Sequence, residues 1–169
     1  MDRAELQERQ APLKARYGED PDAALITLKA RASLGDGISC SVETGRAIAE
    51  AGLHPATGGD GTQLCSGDML LEALAACAGV TLRSVATSLE IPVSGGDVRA
   101  EGVLDFRGTL AVDREAAVGF REISLAFDLD TDADEDQLDT LIKLTERYCV
   151  VLQTLSASPE LSVTRSRRG

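Results

Sequence analysis

The sequence predicts a single domain that contains both α-helices and β-strands. Its 169 residues are enough to bury one hydrophobic core. An apolar segment from Gly67 to about Leu89 has the length and composition of a helix. Residues 122–129 alternate polar and apolar side chains, which predicts a strand with one buried and one solvated face. A second helical pattern starts near Asp134.

The N-terminal part of the chain divides at residue 24. Residues 1–24 are predicted to form an arm with a short helix, and residues 25–169 the domain. The domain opens with a predicted hairpin, Leu25 to Thr44, because Gly35-Asp36-Gly37 is a strong turn signal between two apolar stretches. Residues 51–65 are rich in glycine and predict a loop.

The central helix is predicted from Gly67 to about Leu89, with Ser66 as its N-cap. Apolar residues occupy nearly every side of it, so we expect it to be buried within the fold or a dimer. Val98 to Leu110 is expected to be a strand, and Leu161 to Thr164 a final strand.

The second helix is predicted to start near Asp134, continue through Cys149 and end before Pro159. The acidic run Asp132 to Asp139 at its start favours a solvated helix N-terminus over a calcium site, since the EF-hand glycine and glutamate are missing.

The net charge and the hydropathy of the chain limit the classes of molecule that it is expected to bind. The net charge is −11, which disfavours binding to nucleic acid. No apolar run reaches membrane-spanning length and no signal peptide is recognised, so a cytoplasmic protein without a membrane partner is expected. In a reducing cytoplasm the four cysteines at 40, 65, 77 and 149 would be free thiols, catalytic thiols or metal ligands.

Four interpretations of the cysteines compete. A zinc site is disfavoured because no C-x-x-C pair exists and His54 is the only histidine. A Cys–His hydrolase using His54 lacks a supporting signature. The cysteines could all be inert core thiols. Cys77 and Cys149 could instead form a redox pair, although both are predicted inside helices, away from the activating N-terminus.

Two motifs are similar to those of a known family. The run from Ser66 to Cys77, SGDMLLEALAAC, resembles the central helix of the OsmC/Ohr family, and Glu146 to Val151, ERYCVV, resembles the segment that carries its second cysteine. The glycines of residues 58–61 match the loop that precedes the central helix. The resemblance covers roughly residues 25 to 165.

This resemblance implies an α+β fold with two long helices packed on antiparallel sheets, in an intertwined homodimer. It implies reduction of organic hydroperoxides without a cofactor or metal. Cys77 would attack the peroxide and become a sulfenic acid, Cys149 would form a disulfide with it, and a dithiol reductant would restore both. Cys40 and Cys65 are expected to be dispensable. The alternative function is a dimeric protein that binds a small hydrophobic ligand or senses redox state.

Cys77 would need a cation to offset burial, because burial disfavours a thiolate. The family's peroxidase branch places an arginine in the first hairpin turn, where this chain has Gly35-Asp36-Gly37. Arg31 and Arg46 flank that hairpin and are both candidates. Asp68 could steady either arginine through a bidentate pair.

Overall fold

The computed structural model describes residues 3–34, 40–42, 51–62 and 64–167, and the side chains of 8, 10–26, 52–62 and 64–167. Within those residues, the helices are α1 (Arg3–Glu19), α2 (Ser66–Leu89), α3 (Phe106–Thr109), α4 (Glu135–Tyr148) and α5 (Val150–Ser156). The strands are β1 (Leu25–Leu34), β2 (Cys40–Val42), β3 (Ala51–Gly52), β4 (Leu64–Cys65), β5 (Val93–Asp105) and β6 (Phe120–Thr131).

An antiparallel sheet in the order β2-β1-β5-β6 forms the main layer. The pairing of β1 with β2 confirms the predicted hairpin, while its turn at residues 35–37 lies outside the described residues. β6 alternates as predicted: Ile123, Leu125 and Phe127 pack against the core while the residues between them are exposed. Helices packed on an antiparallel sheet confirm the predicted α+β class.

Helix α2 packs on the sheet through one stripe of its surface, at the spacing of a helical face. The buried residues of that stripe are Leu71, Leu74, Ala75, Ala78, Gly79, Leu82 and Ala86. Each fully buried leucine contributes roughly 1.5–3 kcal/mol of hydrophobic free energy. The sheet therefore fixes the rotation of α2 and the direction in which each of its side chains points.

The close approach of α2 to the sheet depends on Gly102 in β5. A Cβ atom at this position would lie 2.4 Å from the ring of Phe120 and 3.4 Å from a methyl group of Leu71. Glycine therefore leaves the space that these two side chains fill.

Helix α4 packs against the second half of α2, where Leu82, Ala86 and Leu141 share a buried cluster. Its start is a capping box in which Asp134 accepts from the Gln137 N–H and the Gln137 side chain accepts from the Asp134 N–H. Exposed carboxylates occupy the first turn, which confirms the predicted solvated, acidic helix start.

Five predicted features differ from the structure. Cys65 and not Ser66 is the N-cap of α2, since Ser66 is already helical. The predicted loop at residues 51–65 contains the paired strands β3 and β4. The second helix is not continuous, because α4 ends at Tyr148 and α5 begins at Val150. The predicted strand Val98 to Leu110 lies five residues earlier, at Val93–Asp105. The predicted final strand from Leu161 to Thr164 is wrong: residues 158–167 form no regular structure and are exposed.

The N-terminal residues pack on the domain through α1. The Tyr17 hydroxyl donates to the Ala56 carbonyl at 2.8 Å, and the Tyr17 ring is buried in the core. The Gln10 amide donates to the Thr57 carbonyl at 3.2 Å. These contacts fasten α1 to the loop before α2, and the boundary at residue 24 stays a prediction.

Among the described helices, α2 alone is long and apolar enough to span a membrane by composition. A core helix of a soluble domain meets the same criterion. The packing of α2 on the sheet is that of such a core helix.

Candidate functional site

The structure brings Cys77 and Cys149 together. Cys77 lies in the middle of α2 and is half-buried, while Cys149 joins α4 to α5 and is fully buried. The interaction between the two thiol side chains lowers the pKa of Cys77 and raises the pKa of Cys149. Both cysteines are reduced. The two side chains therefore lie near each other in the fold.

Cys149 ends one helix and caps the next. Its N–H closes α4 on the Thr145 carbonyl at 2.9 Å, and its own carbonyl accepts the first bond of α5, from Gln153, at 2.9 Å. The backbone of Cys149 is extended, with φ −70° and ψ 105°. The prediction that Cys149 lies inside a helix is therefore wrong, because the helix breaks at this residue.

The break presents backbone donors to the Cys77 sulfur. The first N–H groups of a helix have no partner within the helix. Those of Val150 and Val151, at the start of α5, donate hydrogen bonds to Cys77 instead. These backbone N–H groups therefore provide stabilisation of the Cys77 thiolate that was expected to come from a cation alone.

The surroundings of Cys77 favour its thiolate. Burial raises the pKa of the thiol, since it disfavours the charged form. Hydrogen bonds from the Val151 N–H, the Cys149 thiol and the Val150 N–H, together with one from the Thr81 hydroxyl, act in the opposite direction. Their sum outweighs burial, so the pKa of Cys77 lies below its ordinary value.

Cys149 has the opposite character. Burial, followed by its hydrogen bond to Cys77 and the charge there, raises the pKa of Cys149 to about 11. At neutral pH, Cys149 is therefore the protonated donor and Cys77 the acceptor. Cys77 therefore has the character of a nucleophile, and Cys149 that of its protonated partner.

A groove of about 510 Å³ runs between α2 and α4. Its wall includes Thr81, which lies one helical turn after Cys77 on α2. Most of the lining is apolar, and side chains on its rim are exposed: Val80, Leu89 and Tyr148. The groove can accommodate an apolar molecule, and neither Cys77 nor Cys149 is among its lining residues.

Asp68 lies in the first turn of α2, two helical turns and more from Cys77. Burial raises the pKa of Asp68, and the proximity of His54 lowers it. The structure brings Asp68 close to His54 rather than to Cys77. The side chain of Arg31 and the whole of Arg46 lie outside the described residues.

The contacts of the His54 side chain are local and structural. Its Nδ1 accepts a hydrogen bond from the Ala56 N–H at 3.0 Å, and its ring stacks on Phe106 at 5.0 Å between centroids. These contacts stabilise the loop before α2. They favour a structural role for His54 over the hydrolase interpretation.

The sequence comparison decides the family. The family model for the OsmC-like protein matches residues 59–164, which is more than half of the chain and includes both Cys77 and Cys149. The chain belongs to the OsmC-like protein family. No curated protein sequence matches it.

The fold of this OsmC-like chain is similar to that of a solved relative. An OsmC-like hydroperoxide resistance protein from Jannaschia sp. CCS1 superposes with a TM-score of 0.59 and 15% sequence identity. The match covers 82% of this chain and 91% of the other. At that identity the likeness establishes the fold.

Several groups in the site were missed by sequence reasoning. They are the Thr81 hydroxyl and the N–H groups of Val150 and Val151. Thr81 could have been found, because residues four apart on a helix share a face. The two backbone donors had only a weak signal, the β-branched pair after Cys149, which slightly disfavours a continuous helix.

Proposed function

We propose that this OsmC-like protein is a thiol-dependent peroxidase that reduces organic hydroperoxides. The juxtaposition of Cys77 and Cys149 carries the proposal, since it pairs a thiol of lowered pKa with a second thiol that interacts with it. The fold likeness to a protein described as a hydroperoxide resistance protein supports it.

The reaction divides into a peroxide step and a resolving step. The Cys77 thiolate attacks one peroxide oxygen, so that an S–O bond forms, the O–O bond breaks and the leaving alkoxide takes a proton to become an alcohol. Cys149 then attacks the sulfenic sulfur, forming a disulfide and releasing water.

A dithiol reductant completes the cycle. Its thiolate attacks the disulfide, and its second thiol then releases the reduced protein while the reductant becomes a disulfide. This chemistry uses the sulfur atoms of the chain alone, so the proposal includes no cofactor. A cytoplasmic location, where dithiol reductants are maintained, is part of the same proposal.

Turnover of cumene hydroperoxide with dithiothreitol tests the function, and it must depend on Cys77. The alternative function is binding of a hydrophobic ligand, which the apolar groove between α2 and α4 favours, or redox sensing. Oxidation of Cys77 by peroxide without steady turnover would support that alternative.

We also propose that Arg31 or Arg46, steadied by Asp68, adds a cation near Cys77. A positive charge would lower the pKa of Cys77 further, beyond the effect of the α5 N–H groups. Arg31→Met or Arg46→Met is therefore expected to raise that pKa, measured by pH-dependent alkylation of the Cys77 peptide. Arg99→Met is the control, since Arg99 is exposed and pairs with Asp128. An unchanged pKa in both test variants would refute the arginine proposal.

We propose that a second copy of the chain covers the outer face of α2. Val80 and Leu89 on this face are 39% and 45% exposed, and Tyr148 of α4 is 58% exposed beside them. Large exposed apolar side chains that cluster on one face are typical of interfaces.

Val80→Asp is expected to convert a dimer into monomers, because it places a charge in the covered face. Sedimentation equilibrium of the variant and the parent gives the masses. Val118→Asp makes the same change at a residue 65% exposed in the loop before β6, and should leave the mass unaltered. A monomeric parent would contradict the proposal directly.

A further inference from the structure

The Gln153 side chain connects α5 to α4 across the helix break at Cys149. Its Nε2 amide donates to the Glu146 carbonyl at 2.8 Å, and its backbone N–H donates to the Cys149 carbonyl at 2.9 Å. Gln153 therefore bonds to the last turn of α4 and to Cys149 itself. We propose that Gln153 is a positioning residue, whose side chain maintains the break and so holds Cys149 in place for its reaction with Cys77. The inference rests on the proposed peroxidase function.

The Glu146 carbonyl would have a different partner in a continuous helix. In an α-helix each carbonyl accepts from the N–H four residues later, which here would be that of Val150. Cys149 has an extended backbone, so the regular helix ends before it, and the Gln153 amide donates to Glu146 instead. The Val150 N–H is thereby released from this carbonyl, and it is among the groups that lower the pKa of Cys77.

Two arrangements of the chain after α4 compete. The apolar stripe of α4 continues in register into α5, so the sequence periodicity also fits a continuous helix. Such a helix would return the Val150 N–H to the Glu146 carbonyl, and Cys149 would lose its present φ of −70° and ψ of 105°. Because the Gln153 amide already bonds that carbonyl, it favours the broken form, in which Cys149 is fully buried.

The bond of Gln153 differs from the other side-chain bonds of α5. The Thr154 hydroxyl donates to the Val150 carbonyl at 2.7 Å, and the Ser156 hydroxyl donates to the Leu152 carbonyl at 2.9 Å. Both bonds run to the carbonyl four residues earlier, which is usual within a helix, and neither crosses the break. Thr154→Val is therefore a matched control, since it removes a hydrogen bond of α5 that does not reach α4.

The test removes the amide donor and measures the Cys77–Cys149 disulfide at equilibrium with glutathione. In this exchange the two thiols give two electrons and two protons to oxidised glutathione, which becomes two molecules of reduced glutathione. Gln153→Met keeps the length of the side chain and is expected to lower the equilibrium constant for disulfide formation about fivefold, the scale of one hydrogen bond. Gln153→Lys restores a donor and should restore the parent value, and Thr154→Val should keep it. Peptide mass spectrometry after alkylation identifies the disulfide.

Gln153→Glu is a second variant that keeps the size of the side chain and lacks the donor at neutral pH, should Gln153→Met disturb the fold. An unchanged constant in the folded donor-less variants would overturn the proposal. An equal loss in Thr154→Val, no recovery in Gln153→Lys, or a parent that forms no Cys77–Cys149 disulfide would overturn it as well. The equilibrium needs no peroxide, so a parent that fails to turn over cumene hydroperoxide, while Gln153→Met shows the lowered constant, would refute the function and retain the role of Gln153.

Discussion

Cys77→Ser is expected to lower the kcat/KM for cumene hydroperoxide by about 10³-fold or more, since a neutral hydroxyl is a far weaker nucleophile than a thiolate. The fold should survive the change. Serine is close to cysteine in size, and its oxygen can accept the N–H groups of Val150 and Val151 that now bond the sulfur. Consumption of peroxide with excess dithiothreitol measures the loss, and circular dichroism verifies the fold.

The matched control is the double variant Cys40→Ser with Cys65→Ser. Cys65 ends β4 as the N-cap of α2 and packs against the core, twelve residues before Cys77. The double variant should keep its activity within about tenfold, or roughly 1.4 kcal/mol of barrier. Undiminished turnover by Cys77→Ser would disprove the assignment, and a larger loss in the double variant would extend the site to Cys40 or Cys65.

Elements with a strong local pattern could be predicted from the sequence. The alternation along β6 places Ile123, Leu125 and Phe127 on one face, and any strand with that pattern buries the same face. The ends of α2 were predicted to within a residue, because the extent of its apolar run is a local feature. The contact between Cys77 and Cys149 was expected from a family resemblance, and spacing could not have distinguished it from two core thiols.

The break at Cys149 could not be predicted with comparable certainty. No Gly or Pro marks it, and the apolar stripe of α4 continues in register through Cys149 to Leu152. The break is instead stabilised by tertiary contacts, because the N–H groups that lose their helical partners donate to the Cys77 sulfur. Hydrogen bonding of these backbone groups to a distant segment therefore outweighs the weak local preference for a continuous helix.

The segment Leu161 to Thr164 illustrates the opposite error. Its alternating apolar residues predicted a strand, yet Leu161 and Val163 are 82% and 96% exposed. A strand needs a neighbouring strand to form hydrogen bonds with its backbone N–H and C=O groups. The alternation of two side chains does not indicate whether such a neighbour is present. Sequence patterns of this length therefore predict the conformational preference of a segment, and they do not predict the strand with which it would pair.

Cys149→Ser is expected to stop peroxide consumption after about one equivalent per site, since the sulfenic acid on Cys77 then has no resolving thiol. In the parent protein, Cys149 is kept protonated by burial and by the charge and hydrogen bond of Cys77, which raise its pKa to about 11. Oxidation of Cys77 to the sulfenic acid removes that neighbouring negative charge. The pKa of Cys149 should then fall, so that its thiolate forms after the peroxide step and not before it.

Mass spectrometry of the Cys149→Ser protein, after one equivalent of cumene hydroperoxide, should find one added oxygen atom on the Cys77 peptide and a dimedone adduct there. The serine hydroxyl can still donate to the Cys77 sulfur, so the first oxidation should keep a rate close to that of the parent. Cys65→Ser is the control, and it should form the Cys77–Cys149 disulfide and continue to turn over. The side chains of Cys77 and Cys149 already interact in the reduced protein. A disulfide from Cys77 to Cys40 or Cys65, or steady turnover by Cys149→Ser, would assign the resolving step to another thiol.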